Sequence, residues 1–247
     1  MRKFGLIGFP LSHSFSKKHF TEKFQHEQIA DCEYELYSIA DIINFPVMIS
    51  QNPNLRGLNV TIPHKVDIIP YLQELDDAAS KIGAVNCVSI KDNDGKQFLK
   101  GYNTDAYGFS KSLKPLLKDH HTMALVLGNG GAAKAVKYVL NQLNISFIVV
   151  TRKPDVEAIL YSDLTEEMLQ QYTLVINTTP LGMSPNIDTA PEIPYEYFTD
   201  KHLAYDLVYN PEETLFLKKA AAKGATTKNG LEMLVLQAEQ SWFIWNS

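Results

Sequence analysis

The chain has 247 residues, 45% hydrophobic and 21% charged, which allows one large globular domain or two modest ones and excludes fibrous, low-complexity and disordered classes. A formal net charge of -5 excludes a general nucleic-acid or anionic-membrane surface, because such surfaces need clustered Lys and Arg; local basic residues could still hold one small anion. No stretch suits a bilayer span, and the apolar amino-terminal run breaks at Pro10, Ser12 and His13, too soon for a signal-peptide core.

In chain order, residues 3–9 predict a strand, 16–26 a helix, 33–37 a strand and 40–50 a weak helix, the alternation of an α/β fold. A strand is expected over 55–62, a helix over 65–75, and a strand over 83–90 that runs into Asp92-Asn93-Asp94-Gly95, where Asp-Gly signals a hairpin. Residues 106–117 have a helical pattern. The polar segment Lys118-Asp119-His120-His121-Thr122 reads as a connection between two folded units.

Beyond it, 123–127 predicts a short buried strand, 132–143 an amphipathic helix and 146–151 a second strand rich in Ile and Val, together a βαβ unit. Strands follow at 173–177 and 204–207, then a helix over 213–223 ended by Gly224. The tail 231–245 is helical. Its apolar Leu231, Leu234, Val235, Ala238, Trp242 and Trp245 share one face, so a return to pack on the first domain is expected, with both tryptophans buried. Cys32 and Cys87 lack CxxC spacing or a nearby His cluster. They read as small buried side chains in a reducing, cytoplasmic protein, with no metal site.

The segment Val126-Leu127-Gly128-Asn129-Gly130-Gly131-Ala132-Ala133 joins a strand to a helix, the context in which a glycine cluster signifies dinucleotide binding. Gly128 suits the tight turn. Gly130 and Gly131 would let the backbone approach a pyrophosphate lying on the helix start near Ala132, although a turn made only for packing is the alternative. At the end of the next strand an NAD site would present an acid to the ribose 2′-hydroxyl, whereas this chain has Thr151-Arg152-Lys153. A guanidinium fork and an ammonium favour a 2′-phosphate, so NADP is the expected cofactor of a nicotinamide-dependent oxidoreductase. The polar strand end Asn177-Thr178-Thr179-Pro180-Leu181-Gly182 is a further expected cofactor contact, or else a sharp turn satisfied by its own side chains.

Four more segments carry unusual polar content: His13-Ser14-Phe15-Ser16, Asn59-Val60-Thr61-Ile62-Pro63-His64-Lys65, Gly83-Ala84-Val85-Asn86 and Gly101-Tyr102-Asn103-Thr104-Asp105. In this order, ahead of the glycine turn and the Thr-Arg strand end, they make the chain resemble the shikimate dehydrogenase family over essentially its whole length. The resemblance implies an α/β substrate-binding domain, residues 1–103 plus 231–247, and a Rossmann-type doubly wound NADP-binding domain, residues 104–230.

It further implies Lys65 and Asp105 as the catalytic pair, with Ser14, Ser16, Thr61, Asn86, Tyr209 and Gln237 also on the substrate. Asp77, Leu207 and Gly230 would join Gly128–Ala132, Thr151, Arg152, Lys153, Asn177 and Thr178 on the cofactor side. The residue chemistry agrees, since a ketone oxygen that gains charge as hydride arrives needs a proton, and an ammonium held by a carboxylate can give one. Without the family pattern, Lys65 would read as a surface residue, Asp105 as a helix N-cap before Ala106 and Asp77 as a surface charge. His13 and His64 read as structural neighbours.

Relatives more often carry Ala at position 129 and Asn-Arg-Thr at the strand end, so Asn129 and Lys153 set this chain apart. The implied activity is the NADPH-dependent, reversible reduction of 3-dehydroshikimate to shikimate, toward chorismate and aromatic amino acids. The alternatives are a quinate/shikimate dehydrogenase using NAD, disfavoured by Arg152, and a non-catalytic NADP sensor, disfavoured by Lys65 with Asp105. The expected partner is the small-molecule substrate alone, with no nucleic acid or membrane, and the chain could be a monomer or a homodimer.

Overall fold

The computed structural model describes residues 1–11, 14–93 and 95–247; His13 and the Asp94 of the expected turn lie outside the described residues. Two compact α/β units are present, one comprising Met1–Thr104 with Ala238–Ser247 and the other Asp105–Gln237.

In the first unit β1 (Arg2–Gly8) lies between β2 (Cys32–Ser38) and β3 (Leu55–Val60), parallel to both. β5 (Cys87–Asn93) and β6 (Lys96–Tyr102) add an antiparallel hairpin, paired up to Asn93 and Lys96, and the short β4 (Glu74–Leu75) closes the edge. The order is β2-β1-β3-β5-β6-β4. Helices α1 (Phe15–His26), α2 (Phe45–Ser50) and α3 (Asp77–Ile82) accompany the sheet. Ser14 caps α1 by accepting from the Lys17 amide at 3.2 Å, which satisfies a donor the helix itself cannot.

Where a helix was expected over 65–75, the chain makes turns and a single 3₁₀ turn, Ile69–Tyr71. The cause is Pro70: in a helix interior it would lack the N–H and push its ring into the carbonyl four residues back. The helix of this region comes later, as α3, capped by Asp76 at 2.8 Å to the Ala79 amide. It ends at Gly83 in the left-handed region, φ +65°, which is why the following strand starts at Cys87 rather than at Gly83.

The second unit holds a six-stranded, wholly parallel sheet. Its strands are β7 (Met123–Leu127), β8 (Ser146–Thr151), β9 (Ala158–Leu160), β10 (Leu174–Asn177), β11 (Leu203–Asp206) and β12 (Thr226–Lys228). The order β12-β11-β10-β7-β8-β9 is that of a doubly wound dinucleotide fold, reversing direction between β7 and β10. Helices α4 (Thr104–Leu113), α5 (Gly131–Gln142), α6 (Glu166–Gln171) and α7 (Leu215–Ala221) belong here, and α8 (Leu231–Trp245) begins here and ends in the first unit.

Segment 118–122 lies inside this unit and is not an interdomain connection. Its His121 ring accepts from the Lys118 amide at 3.0 Å and bonds the Lys201 carbonyl at 3.1 Å, so its polarity serves local hydrogen bonds. Among the described residues no helix is long and apolar enough to cross a membrane.

Both cysteines are buried and free, with thiols raised by burial, to about 11 at Cys32 and about 12 at Cys87, so both are held as unreactive thiols. The end of α8 packs into the first unit's aromatic cluster of Phe4, Phe20, Phe24 and Tyr34. Trp245 stacks on Phe4 at 5.0 Å and donates its indole N–H to the Val88 carbonyl at 3.0 Å. Its ring occupies the space where a Cβ on Gly57 would come within 2.3 Å. Trp242 is half-buried beside it, whereas Leu231 at the helix start is exposed and Met233 takes the buried position.

Replacing a buried indole that also satisfies a carbonyl costs about 3–5 kcal/mol. Trp245→Ala is therefore expected to lower urea-denaturation stability on that scale. A loss below about 1 kcal/mol would show that α8 does not anchor the first unit.

Candidate functional site

The reversal between β7 and β10 leaves a crevice at the carboxyl ends of those strands, where open α/β sheets take their ligands. Gly128 turns the chain out of β7 with φ +101°, and a Cβ there would lie 2.9 Å from Thr178 Oγ1 and from Thr179 Cγ2. Glycine is required twice over, by the backbone angle and by the close approach of the β10 loop. At Gly130 and Gly131 a Cβ would meet nothing within 4 Å, so the first turn of α5 faces open space. No side chain caps α5; the Ala133 amide bonds the Gly130 carbonyl at 3.1 Å, and the amides of Gly131 and Ala132 ahead of it suit an anion.

The resulting cleft, about 320 Å³, is lined by Gly128, Asn129, Gly130, Thr151, Arg152, Lys153, Tyr161, Thr178, Thr179 and Pro180. Arg152 and Lys153 are exposed at the end of β8, and the Thr151 hydroxyl bonds the Lys153 carbonyl at 2.7 Å. Asn129 donates its side-chain amide to Asp155 at 3.0 Å and accepts from the Lys137 ammonium at 2.9 Å.

Asn177 does not line this cleft, since it is fully buried. Its carbonyl oxygen accepts from the Thr179 amide at 3.0 Å and hydroxyl at 2.7 Å, which shapes the cleft wall. Its amide donates at 2.9 Å to Asp206, which also accepts from the Thr214 hydroxyl at 2.6 Å and the Val208 amide at 3.0 Å. Leu207 and Gly230 lie against each other: a Cβ on Gly230 would come within 2.1 Å of the Leu207 carbonyl. Asp77 belongs to the first unit, in the exposed first turn of α3.

The residues expected at the substrate fall into two groups. In the first unit, Ser14 caps α1, Ser16 neighbours the Tyr34 phenol, and Thr61 and Lys65 flank the turn after β3. The Lys65 carbonyl accepts from the Val85 amide at 2.7 Å, which fixes its backbone. Asn86 is buried, and its carbonyl oxygen accepts from the Thr104 amide at 2.6 Å. It joins a buried polar chain in which Tyr34 donates to Asn59 at 2.8 Å and Asn59 donates to Ser241 at 2.9 Å.

In the second unit, Asp105 stands in the first turn of α4 rather than capping it, because the helix already starts at Thr104. There its charge meets the positive end of the helix dipole. Gln237 is buried and donates to the Leu234 carbonyl at 2.9 Å, and burial raises the Tyr209 phenol. His64 is buried with its Nε2 on the Ile39 carbonyl at 2.5 Å, a packing role. Among the described residues no His, Cys, Asp and Glu side chains gather as metal ligands would.

Residues 6–88 match the model of the shikimate dehydrogenase substrate binding domain. The chain is 37% identical to the NADP(+) shikimate dehydrogenase of Desulforamulus reducens, covering 98% of this chain and 88% of the relative. It is 36% identical to that of Methanosphaera stadtmanae, covering 98% and 90%. The chain belongs to the shikimate dehydrogenase family. The family likeness extends to the whole fold: the shikimate 5-dehydrogenase of Thermus thermophilus, solved with NADP(H) and shikimate, superposes with a TM-score of 0.85 at 30% identity, over 99% of this chain and 93% of that one.

Within this family member, sequence reasoning missed Tyr161 and Asp206, whereas Thr179 and Pro180 belong to the segment 177–182 that was expected at the cofactor. Tyr161 escaped because it enters the cleft from beyond β9, far from any motif. Asp206 had a signal, a lone carboxylate in the apolar run Leu203-Ala204-Tyr205-Asp206-Leu207-Val208. Burial pushes its carboxyl up to about 6 against three hydrogen-bond donors that pull the other way.

An acid raised from about 3.9 in the unfolded chain binds its proton more tightly when folded. Its contribution to stability is thus greatest at low pH and declines as pH rises from about 4 to about 6. That decline in Tm should vanish in Asp206→Asn, and a parallel pH profile in that variant would refute the buried-carboxylate account. Asp206→Ala, which leaves three donors without an acceptor, should cost about 2–4 kcal/mol.

Proposed function

We propose that this protein catalyses the reversible, NADPH-dependent reduction of 3-dehydroshikimate to shikimate. The observation that carries the reading is the cleft over Gly128, Gly130 and the start of α5, edged by Arg152 and Lys153, in a chain collinear with NADP(+) shikimate dehydrogenases. The open faces at Gly130 and Gly131 suit a pyrophosphate on the α5 amides, and the two cations at the end of β8 suit a 2′-phosphate. NADPH, when bound, supplies the hydride.

Lys65 gives the proton that the reduced ketone oxygen needs, and Asp105 is the other member of the catalytic pair that the family resemblance implies. Ser14, Ser16, Thr61, Asn86, Tyr209 and Gln237 hold the hydroxyls and carboxylate of the substrate. Gly230 and Leu207 support the cofactor side, as does the exposed carboxylate of Asp77. An NAD-dependent enzyme would want an acid where Arg152 stands. A sensor would need neither Lys65 nor Asp105.

Shikimate with NADP should give rising absorbance at the reduced-nicotinamide band, and quinate with NAD much less. No reduction with any pairing of shikimate or quinate with NADP or NAD would favour the sensor. Loss of general acid-base help is worth about 10²- to 10⁴-fold. Lys65→Ala should accordingly lose most turnover while keeping much of its affinity for shikimate, and near-normal turnover would remove Lys65 from the mechanism. Arg152→Asp should lose its preference for NADP over NAD, and a retained preference would refute the role given to Arg152.

A further inference from the structure

Parallel neighbours normally need a crossover of a dozen or more residues, usually with a helix, yet β8 and β9 are parallel and joined by residues 152–157 alone. Every residue of this connection is exposed, and Val156 is as open as a free side chain at 103%. No apolar burial holds the segment that carries Arg152 and Lys153. Its order depends on hydrogen bonds.

Within the connection, Asp155 accepts from the Glu157 amide at 3.2 Å, and its carbonyl accepts from the Ala158 amide at 3.3 Å. Outside it, the Thr151 hydroxyl at the end of β8 donates to the Lys153 carbonyl at 2.7 Å, and among the described residues one side-chain hydrogen bond reaches beyond β8: Asn129 Nδ2 to Asp155 Oδ2 at 3.0 Å. Asn129 is itself fixed from α5, its Oδ1 accepting from Lys137 at 2.9 Å. An amide at position 129 can donate to one side and accept from the other, which an apolar side chain cannot do.

We infer that Asn129 and Asp155 are positioning residues that tie the connection to the glycine turn and so hold Arg152 and Lys153 in place for a 2′-phosphate. The inference rests on the nucleotide reading of the cleft. It predicts an effect opposite in sign to simple charge repulsion. Asp155 is an anion near two phosphate-binding cations, and if charge alone mattered its removal would tighten phosphate binding. If it is a tether, its removal loosens the cations and weakens binding.

The test is calorimetric binding of 2′,5′-ADP and of 5′-AMP, fragments that differ in the 2′-phosphate, to the full chain. Asn129→Ala and Asp155→Ala should each weaken 2′,5′-ADP by about three- to fivefold, the scale of one exposed hydrogen bond, and leave 5′-AMP unchanged. Asp155→Asn, which keeps the acceptor, should restore binding. In the nucleotide-free protein, the amides of Lys153, Asp155, Val156 and Glu157 should exchange faster in Asn129→Ala. Equal loss for both fragments, or tighter 2′,5′-ADP binding by Asp155→Ala, overturns the tether. Arg152→Ala serves as the control: if it weakens 2′,5′-ADP while Asn129→Ala does not, the tether alone is wrong. If Arg152→Ala leaves 2′,5′-ADP binding intact, the cleft reading falls and the tether with it.

Discussion

A parallel sheet buried on both faces can present polar groups only at its strand ends, and that constraint organises the second unit. β7 and β10 are buried through almost their whole length, so Leu125, Val126, Val175 and Ile176 serve the core alone. Chemistry is displaced to Gly128, Thr151–Lys153 and Thr178, the residues that follow where the strands stop. A polar pair admitted inside, Asn177 with Asp206, spans β10 and β11 and shapes the cleft wall by accepting from Thr179. Desolvating a carboxylate is tolerable there because three donors surround it.

The first unit solves a related problem differently. Its sheet buries Asn59, Asn86, Asn103, Thr104 and Ser241, and their amides and hydroxyls satisfy one another instead of water. A network of that kind fixes the loops at Asn86 and Asn103, because moving one member leaves another buried and unpaired. Trp245 adds an apolar clamp on the same sheet, resting on Gly57 and Phe4. The loop that carries Lys65 is held by backbone bonds on both sides, His64 to Thr61 and Val85 to Lys65. The side chain proposed to act on the substrate is thereby mounted on backbone that is bonded on both sides.

Much of this was legible from residue order because the signals were local. The Val-Leu-Gly-Asn-Gly-Gly-Ala run predicts a strand, a tight turn and a helix whatever surrounds it, and Gly128 has the positive φ that the run implies. The expected helix over 65–75 fails for a local reason as well, because Pro70 cannot sit in a helix interior. What could not be read was long-range. Nothing near Tyr161 marks it as a cleft residue, and a hydrogen-bond partner of Asn129 is Asp155, distant in sequence. The polar run 118–122 shows the same limit, because its His121 is spent on a carbonyl of residue 201.

The two halves of the proposed nucleotide site differ in how they are built, and that difference bears on selectivity. The pyrophosphate end consists of backbone amides at the start of α5 and a glycine turn that cannot be rebuilt without moving β10. The 2′-phosphate end consists of two exposed cations on a connection with no apolar anchor. Exposed charges are screened within a Debye length of about 8 Å at physiological salt, whereas amide donors set in a folded turn keep their geometry. Affinity for any dinucleotide therefore rests on the rigid end, and the choice of NADP over NAD on the exposed, salt-sensitive one. In a site so divided, the geometry of the short β8–β9 connection matters more than the number of its charges, because a screened cation contributes only at contact distance.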